Sequence, residues 1–309
     1  MKKIWNFLKG HIQQDFNYRH YFLVGAFLAG CLYFNYKFDL YDNFLRYGEG
    51  SIKFLYYFIF YAIAYYFSVL SYVIFYKKSD FIRDKKFWIK SLFVILILTL
   101  DSSLPYLYIF IEKNFNGMIQ FWVYKVLNNL CSVGTVLIPL LIFHYLYDRK
   151  ENHWYGLQAK RFDAKPYFLI LLIVVPIIVI ASFHESFLLQ YPMYQTTEAH
   201  KYLHVPEWVT VLIYEIAYGF DFVSVELIFR GFLVIGMMTF MGRGAVLAMA
   251  SVYCFLHFGK PPGEAISSIF GGYILGVIAY ETKSIWGGII VHLGVAWTME
   301  ISAFMQKLH

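Results

Sequence analysis

The chain has 309 residues, of which 60% are hydrophobic and 15% are charged, and its mean hydropathy is +0.54. Soluble domains average about 45–50% apolar and about 25% charged residues, so this composition excludes a disordered chain, a nucleic-acid-binding domain and an ordinary soluble enzyme. It indicates an all-α, polytopic integral membrane helix bundle, and the net charge of +6 then reports how Lys and Arg are distributed among the loops.

The apolar runs predict eight or nine membrane-spanning helices, since a bilayer core of about 30 Å needs roughly 20 helical residues. The clearest is the charge-free run 54–76. The other predicted spans are 21–36, 91–111, 118–147, 166–183, 208–240, 245–258, 265–280 and 284–304. As one helix the run 208–240 would be about 50 Å long. We therefore expect it to break or bend after Arg230, near Gly231 or Gly236.

The loops of the first half alternate in charge. The N-terminus, loop 77–90 and loop 149–165 are rich in Lys and Arg, whereas loop 184–206 has Lys201 as its sole Lys or Arg. Because Lys and Arg accumulate in cytoplasmic loops, the three basic segments are predicted to be cytoplasmic and loop 184–206 to lie outside. The N-terminus is accordingly predicted to lie inside the cell.

Ionisable residues within the apolar runs are concentrated in the second half of the chain. Such residues are costly in hydrocarbon and usually face a cavity or a partner. The candidates are Asp101, Lys125, Glu215, Asp221, Glu226, Arg230, His257, His292 and Glu300. Seven of these nine follow residue 207. We therefore interpret residues 1–200 as a transmembrane scaffold of about five helices and residues 207–304 as the functional core.

Three polar elements of this core can act together. Glu226 and Arg230 are four residues apart and share a helix face, where an ion pair can serve packing as well as chemistry. His257 follows a helix rich in small residues, and His292 lies in the middle of the last span. A carboxylate can act as general base toward water while imidazoles orient the water and stabilise an oxyanion. The same three side chains also match a hydrolytic zinc site.

The residues around these side chains resemble the motifs of the CAAX protease and bacteriocin-processing family. Segment 225–231 (VELIFRG) resembles the family motif E-E-x-x-x-R, segment 253–257 (YCFLH) resembles F-x-x-x-H, and segment 292–296 (HLGVA) resembles H-x-x-x-N. The stretches 271–276 and 282–288 resemble the region between the last two motifs. The resemblance covers roughly residues 207–300, and the first 200 residues show no such match.

This resemblance implies an intramembrane endopeptidase. In that family a glutamate activates water and histidines assist; some members cleave prenylated proteins, and bacterial members are linked to bacteriocin maturation or self-immunity. The resemblance implies catalytic Glu226, His257 and His292, with Arg230 holding Glu226 and Tyr253 in the aromatic position. It further implies a peptide or protein substrate at a bacterial cytoplasmic membrane and no cofactor. Zinc bound by the three catalytic residues stays open as an alternative.

The sequence departs from the family pattern at two positions. Val225 replaces the first glutamate and Ala296 replaces the asparagine. Losing one oxyanion donor can cost about 10²–10³ in rate, and losing the base can abolish activity. Asp221, one turn before Val225, and Glu215, about three turns before Glu226, are therefore candidates for a supporting carboxylate. Without such compensation, the chain is a catalytically silent relative that acts as a bacteriocin-immunity or binding protein.

A secondary transporter is the alternative from a different class of protein. Asp101, Lys125, Glu226 and His292 are residue types that relay protons or bind solutes inside membranes. Transporters often have inverted repeats and matching broken helices in their two halves. The polar second half of this chain has no counterpart in the first, so the sequence favours the endopeptidase.

Overall fold

The computed structural model describes residues 2–46, 50–104, 106–151, 154–158, 162–194 and 196–307. These residues are organised mainly into helices, and the described ranges contain no strand. The predicted all-α class is thereby confirmed. Lys160 and Arg161, which belong to the predicted basic loop 149–165, lie outside the described residues.

The helices follow one another with short connections. Those before residue 150 are α1 (Lys2–Asp15), α2 (Tyr18–Phe38), α3 (Gly50–Tyr76), α4 (Lys85–Ser103), α5 (Tyr106–Asn114), α6 (Gly117–Ser132) and α7 (Ile138–Tyr147). Those after it are α8 (Lys165–Ala181), α9 (Glu185–Gln190), α10 (Ala199–Tyr202), α11 (Glu207–Glu226), α12 (Met238–Met241), α13 (Ala245–Leu256), α14 (Pro262–Thr282) and α15 (Trp286–Lys307). A π-helical turn, Val133–Leu137, joins α6 to α7.

Six helical segments of the described chain are long and apolar enough to cross a membrane. They are Ile52–Tyr76, Lys85–Asn114, Gly117–Tyr147, Glu207–Leu256, Pro262–Thr282 and Trp286–Lys307. Helix α8 is apolar but shorter, and α2 covers the span predicted at 21–36. The chain is thus an integral membrane protein, whereas the predicted number of eight or nine spans is not confirmed.

The long apolar run 208–240 changes geometry close to the predicted break. Helix α11 ends at Glu226, and a buried π-helical segment, Leu227–Gly236, follows it. The two glycines of this segment lie against Tyr155: a Cβ built on Gly231 would lie 2.6 Å from the Tyr155 carbonyl oxygen, and one on Gly236 would lie 3.1 Å from its ring. The glycines therefore allow the backbone of a neighbouring loop to approach the segment closely. Such π-helical insertions frequently mark functional sites.

A buried ion pair anchors that loop. Lys90 Nζ of α4 lies 2.7 Å from Asp148 Oδ2, just after α7, and both side chains are less than a tenth exposed. The Tyr155 hydroxyl donates to the same carboxylate at 2.6 Å. The Lys90 ammonium also lies 5.6 Å from the centre of the Phe232 ring in the π-helical segment. The pair thus connects α4 and α7 to the backbone that follows Glu226.

Replacing one partner of this pair is expected to destabilise the protein. Lys90→Met leaves the Asp148 carboxylate buried without its cation, which costs about 3 kcal/mol of unfolding free energy. The double variant Lys90→Met with Asp148→Asn removes both charges and keeps an acceptor for Tyr155, so it should recover most of that loss. Thermal unfolding of the detergent-solubilised chain measures both effects, and an unchanged midpoint for Lys90→Met would contradict the assigned role.

Candidate active site

The three sequence motifs meet in one buried cluster where α11, α13 and α15 come together. Glu226 Oε1 lies 2.9 Å from Arg230 Nη1 and 2.5 Å from His292 Nδ1. The hydroxyl oxygen of Tyr253 lies 2.7 Å from Nε2 of the same His292 ring. One imidazole therefore bridges the carboxylate of the first motif and the phenol of the second.

Glycine residues allow these helices to approach one another closely. A Cβ built on Gly288 of α15 would overlap the Glu226 carboxylate. On α14, a Cβ at Gly272 would lie 2.9 Å from Cδ1 of the Tyr253 ring. Small residues commonly permit such close packing between transmembrane helices. The glycines thereby allow the imidazole to lie 2.5 Å from the carboxylate and 2.7 Å from the phenol oxygen.

The chemistry of the groups assigns the proton positions around His292. An ionised Glu226, paired with Arg230, offers only acceptors, so the His292 Nδ1 that faces it carries a proton. In the neutral ring Nε2 is then an acceptor, and the Tyr253 hydroxyl donates to it. The Arg230 guanidinium, the Glu226 carboxylate, the His292 imidazole and the Tyr253 phenol are therefore in contact with one another in this order.

His257 joins the cluster through Tyr253. Its Nδ1 donates to the Tyr253 carbonyl oxygen at 2.8 Å, and the two rings have centroids 4.5 Å apart. Donation from Nδ1 leaves Nε2 as the acceptor nitrogen of a neutral ring. His257 directly follows α13 and is partly exposed. It therefore presents a proton-accepting nitrogen nearer the surface than Glu226.

The charged centre of the cluster is shielded from solvent. The side chains of Glu226 and Arg230 are 0% and 1% exposed, whereas that of His292 is 13% exposed. The Arg230 guanidinium also lies over the Tyr253 ring, 4.4 Å from its centroid, and Phe222 stacks on the His292 ring at 5.5 Å. Aromatic rings thus cover the Arg230 guanidinium and the His292 imidazole. In such surroundings the attraction between the opposite charges is stronger than in water.

Of the two predicted supporting carboxylates, Asp221 faces another part of the bundle. Five residues separate it from Glu226, which places the two side chains about 140° apart around the helix. Its carboxylate interacts with the Ser132 hydroxyl of α6 and lies near Asp101. Asp221 shares a helix face with Val225, and this face points away from the Glu226 carboxylate. The supporting role of Asp221 stays a prediction.

Glu215 shares a helix face with Glu226 but lies about 16 Å from it along the axis. It interacts electrostatically with Glu300, whose carboxylate accepts hydrogen bonds from the backbone N–H groups of Met193 at 2.7 Å and Tyr194 at 3.3 Å. Glu215 therefore belongs to a different part of the bundle from the Glu226 cluster. The supporting role of Glu215 also stays a prediction.

The sequence did not predict the importance of the Tyr253 hydroxyl. At this position the family motif has Phe, so the hydroxyl is an addition to the family pattern. The structure brings the extra hydroxyl to the His292 ring, one helical turn from Ala296, where the family motif has Asn. The hydroxyl that Tyr253 adds to the second motif thus contacts His292, one helical turn from the position where Ala296 lacks the amide of the third motif. The joint departure of Tyr253 and Ala296 from the family motifs is the sequence signal that could have indicated this contact.

Among the residues that the structure describes, no group of three or more His, Cys, Asp or Glu side chains is arranged to hold a metal ion. Of the three predicted zinc ligands, Glu226 and His292 are adjacent, while His257 is joined to them through Tyr253. Zinc dependence stays a prediction.

Comparison with known proteins supports the resemblance. Residues 206–298 match the model of the Rce1-like family, described as type II CAAX prenyl endopeptidase Rce1-like. The family resemblance expected from the three motifs is confirmed over this segment, which contains all of them. No curated protein and no solved structure matches the chain.

Gly288→Ala is expected to separate Glu226 from His292, because the added methyl group would occupy the space of the carboxylate. Overpacking of this kind typically costs about 1–3 kcal/mol. The matched control is Gly271→Ala on α14, where a Cβ meets no atom within 4 Å. Thermal unfolding should show a lowered midpoint for Gly288→Ala alone, and equal midpoints for the two variants would contradict the close approach.

Proposed function

We propose that this protein is an intramembrane endopeptidase that cleaves a peptide bond with water activated by Glu226. The observation that supports this proposal most directly is the 2.5 Å contact between Glu226 and His292. It joins motifs that are 66 residues apart within the segment that matches the family. The substrate is a peptide or protein at the membrane, and no cofactor is required. We place the N-terminus and the basic loops on the cytoplasmic side of a bacterial membrane.

In the proposed reaction, Glu226 takes a proton from water while the water oxygen bonds to the peptide carbonyl carbon. The carbonyl π electrons move to oxygen and give a tetrahedral oxyanion. When the carbon–nitrogen bond breaks, the leaving nitrogen takes the proton that Glu226 holds, and a carboxylic acid and an amine result. His257, whose Nε2 is an acceptor, orients the water, and Arg230 holds the Glu226 carboxylate through their ion pair.

Oxyanion stabilisation is assigned to the Tyr253 hydroxyl, which His292 positions, because the proton of the neutral His292 ring faces Glu226 and its Nε2 is an acceptor. The family motif places Asn at the position of Ala296, so a donor has to come from another side chain. The Tyr253 hydroxyl, 2.7 Å from His292 Nε2, is a donor on the same imidazole. Rotation about its C–O bond redirects the hydrogen from Nε2 to a substrate oxygen. Preorganised donors of this kind are typically among the largest contributions to catalysis.

Turnover also requires an opened site. The Glu226 side chain has no exposed surface, so water reaches the carboxylate only after a neighbouring group moves. The π-helical segment that starts at the next residue, Leu227, is itself fully buried. We therefore assign the path of the water to the side of the partly exposed His257 and His292 rings.

A catalytically silent family member is the second candidate. Val225 and Ala296 remove two polar groups of the family motifs, and the remaining carboxylate is closed off from solvent. Such a protein would keep the fold and bind a peptide, as a bacteriocin-immunity or binding protein does, without cleaving it. The two candidates differ in one measurable property, which is hydrolysis.

Glu226→Gln and His292→Ala are each expected to abolish cleavage of a peptide library by the purified chain, followed by mass spectrometry. The amide cannot accept the proton of water, and the alanine removes the partner of the carboxylate. Asp221→Asn tests the predicted supporting carboxylate separately, and because its side chain faces Ser132 we expect this variant to retain activity. Equal background cleavage by wild type and both variants would refute the endopeptidase. Activity gained by Val225→Glu with Ala296→Asn in an inactive wild type would establish the silent relative.

Tyr253→Phe restores the family residue and is expected to lower kcat by about 10²-fold, since it removes one oxyanion donor. KM should change little because the aromatic ring stays in place. Adding Ala296→Asn to Tyr253→Phe should recover part of the rate. A Tyr253→Phe variant with wild-type kcat would remove the hydroxyl from the mechanism. Metal analysis of the active protein tests the zinc alternative, which predicts one bound zinc ion per chain.

A further inference from the structure

The N-terminal helix α1 lies along one boundary of the membrane-spanning bundle. Near its start, Ile4 lines a small cavity together with Thr282, where one span ends. Just after its end, Asn17 Nδ2 donates to the Phe75 carbonyl oxygen at 3.2 Å, one residue before another span ends at Tyr76. The helix between these contacts is about 20 Å long, which is less than the bilayer core of about 30 Å. Both spans therefore end at the same membrane boundary, and α1 runs along it.

One face of α1 is fixed to the protein. Ile4 and His11 are buried on this face, and Ile4 belongs to an apolar cluster with Ile278 of α14. Arg243, in the turn between α12 and α13, donates from Nη2 to Gln14 Oε1 at 2.7 Å, and its Nη1 lies 3.3 Å from His11 Nδ1. These contacts fix the rotation of α1 about its own axis, so its remaining faces have defined directions.

The face next to the buried one is apolar and exposed. Trp5, Ile12 and Phe16, which directly follows the helix, are 66%, 46% and 56% exposed. Their spacing of seven and four residues places them within about 40° of one another around the axis, about 110° from the buried Ile4 and His11. At a membrane boundary, an apolar stripe that includes a tryptophan suits the layer where headgroups meet hydrocarbon.

The face beyond the apolar stripe is cationic. Lys2 and Lys9 are exposed and lie about 40–60° past Trp5, in the direction away from the buried face. Asp15, the single acidic residue among residues 1–38, lies on the buried side, where it interacts electrostatically with Arg243. The order around α1 is therefore protein contact, apolar stripe and cations. A helix that lies in one leaflet presents its surface to hydrocarbon and then to headgroups in this order.

The charge of this surface distinguishes between a lipid leaflet and a second copy of the chain. In a symmetric contact between two copies of α1, Lys2 and Lys9 of one chain would approach the same cations of the other, with no acidic side chain between them. An anionic leaflet instead attracts both lysines. Each cation close to such a surface strengthens binding about fivefold. The charge of α1 therefore favours an anionic leaflet.

We propose that α1 is an in-plane helix that binds anionic phospholipids of the leaflet in which it lies. Its stripe of Trp5, Ile12 and Phe16 enters the edge of the hydrocarbon layer. Lys2 and Lys9 contact the lipid phosphates and select for headgroup charge. The site is independent of the proposed hydrolysis, since none of these residues belongs to the candidate active site.

Quenching of Trp5 fluorescence by brominated lipids tests this proposal. The full-length chain is reconstituted into vesicles of equal parts dioleoyl phosphatidylglycerol and dioleoyl phosphatidylcholine, and one of the two lipids is brominated in each preparation. The difference between wild type and Trp5→Phe gives the contribution of Trp5. We expect the phosphatidylglycerol to quench Trp5 about fivefold more effectively than the phosphatidylcholine, which corresponds to the contribution of one lysine. Added salt should reduce this preference, because it screens exposed charges.

Variants of the exposed lysines separate the charge of α1 from that of the rest of the protein. Lys2→Gln with Lys9→Gln should be quenched equally by the two lipids, because the cations that select the phosphate are gone. Lys37→Gln with Lys113→Gln is the matched control, since it removes two exposed cations at the opposite ends of α2 and of the span that begins at Lys85. This control should keep the wild-type preference.

Ile12→Gln with Phe16→Gln tests the apolar stripe and should lower the quenching of Trp5 by both lipids, because α1 then lies less deeply in the leaflet. If this double variant does not fold, Ile12→Gln alone takes its place. Equal quenching of wild-type Trp5 by the two lipids would overturn the selectivity for anionic headgroups. Absence of quenching by either lipid would overturn the proposal as a whole, and so would cross-linking of Trp5→Cys between two chains, because a second copy would then cover the stripe.

Discussion

The burial of a charged carboxylate at membrane depth constrains the functional half of this protein. An isolated charge in a medium of low dielectric constant costs many kcal/mol, so Glu226 requires partners on every accessible side. Arg230 supplies the opposite charge from the following helical segment, and His292 supplies a ring N–H from a different helix. The positions of α11 and α15 relative to each other are therefore tied to one side chain.

Other features of the bundle serve this arrangement. Gly288 allows α15 to reach the carboxylate, and Gly272 allows α14 to pack against Tyr253. The loop that contains Tyr155 packs against Gly231 and Gly236 of the π-helical segment that carries Arg230, and the Tyr155 hydroxyl bonds to Asp148. Ring contacts of Phe222 with His292 and of Arg230 with Tyr253 cover the charges. Packing, rather than solvent, thus sets the strength of the electrostatic interactions.

Helix α14 contacts the candidate site on one side and lines an apolar groove toward α2 on a neighbouring side. Tyr253 packs against Gly272 on one side of this helix, while Ile269 and Tyr273 on another side line the groove. The helix is thus shared between a polar interior and a surface that faces lipid. A small residue is needed only on the interior side, where a ring approaches its backbone. Large apolar residues suit the side that contacts hydrocarbon.

Several features were predictable because they depend on local composition or spacing. The apolar runs predicted segments that overlap all six described stretches long and apolar enough to cross a membrane, and the glycines after Arg230 predicted a change of helix geometry close to where it occurs. The proximity of Glu226, Arg230 and His292 agrees with the motif spacing, and the catalytic roles of these residues and of His257 stay predictions. The family match over residues 206–298 agrees with that part of the prediction. The number of spans was less accessible, because length and hydropathy do not distinguish a crossing helix from a buried or interfacial one.

What the sequence by itself determined is the class of molecule and the chemical groups at its disposal, since both follow from residue types and their periodicity along one chain. Only the tertiary structure decided which groups meet. Helix rotation directs Asp221 toward Ser132, distance along α11 separates Glu215 from Glu226, and helix packing brings the Tyr253 hydroxyl to His292. These outcomes depend on the rotation and approach of whole helices, which result from packing summed over the bundle and have no local signature in the chain.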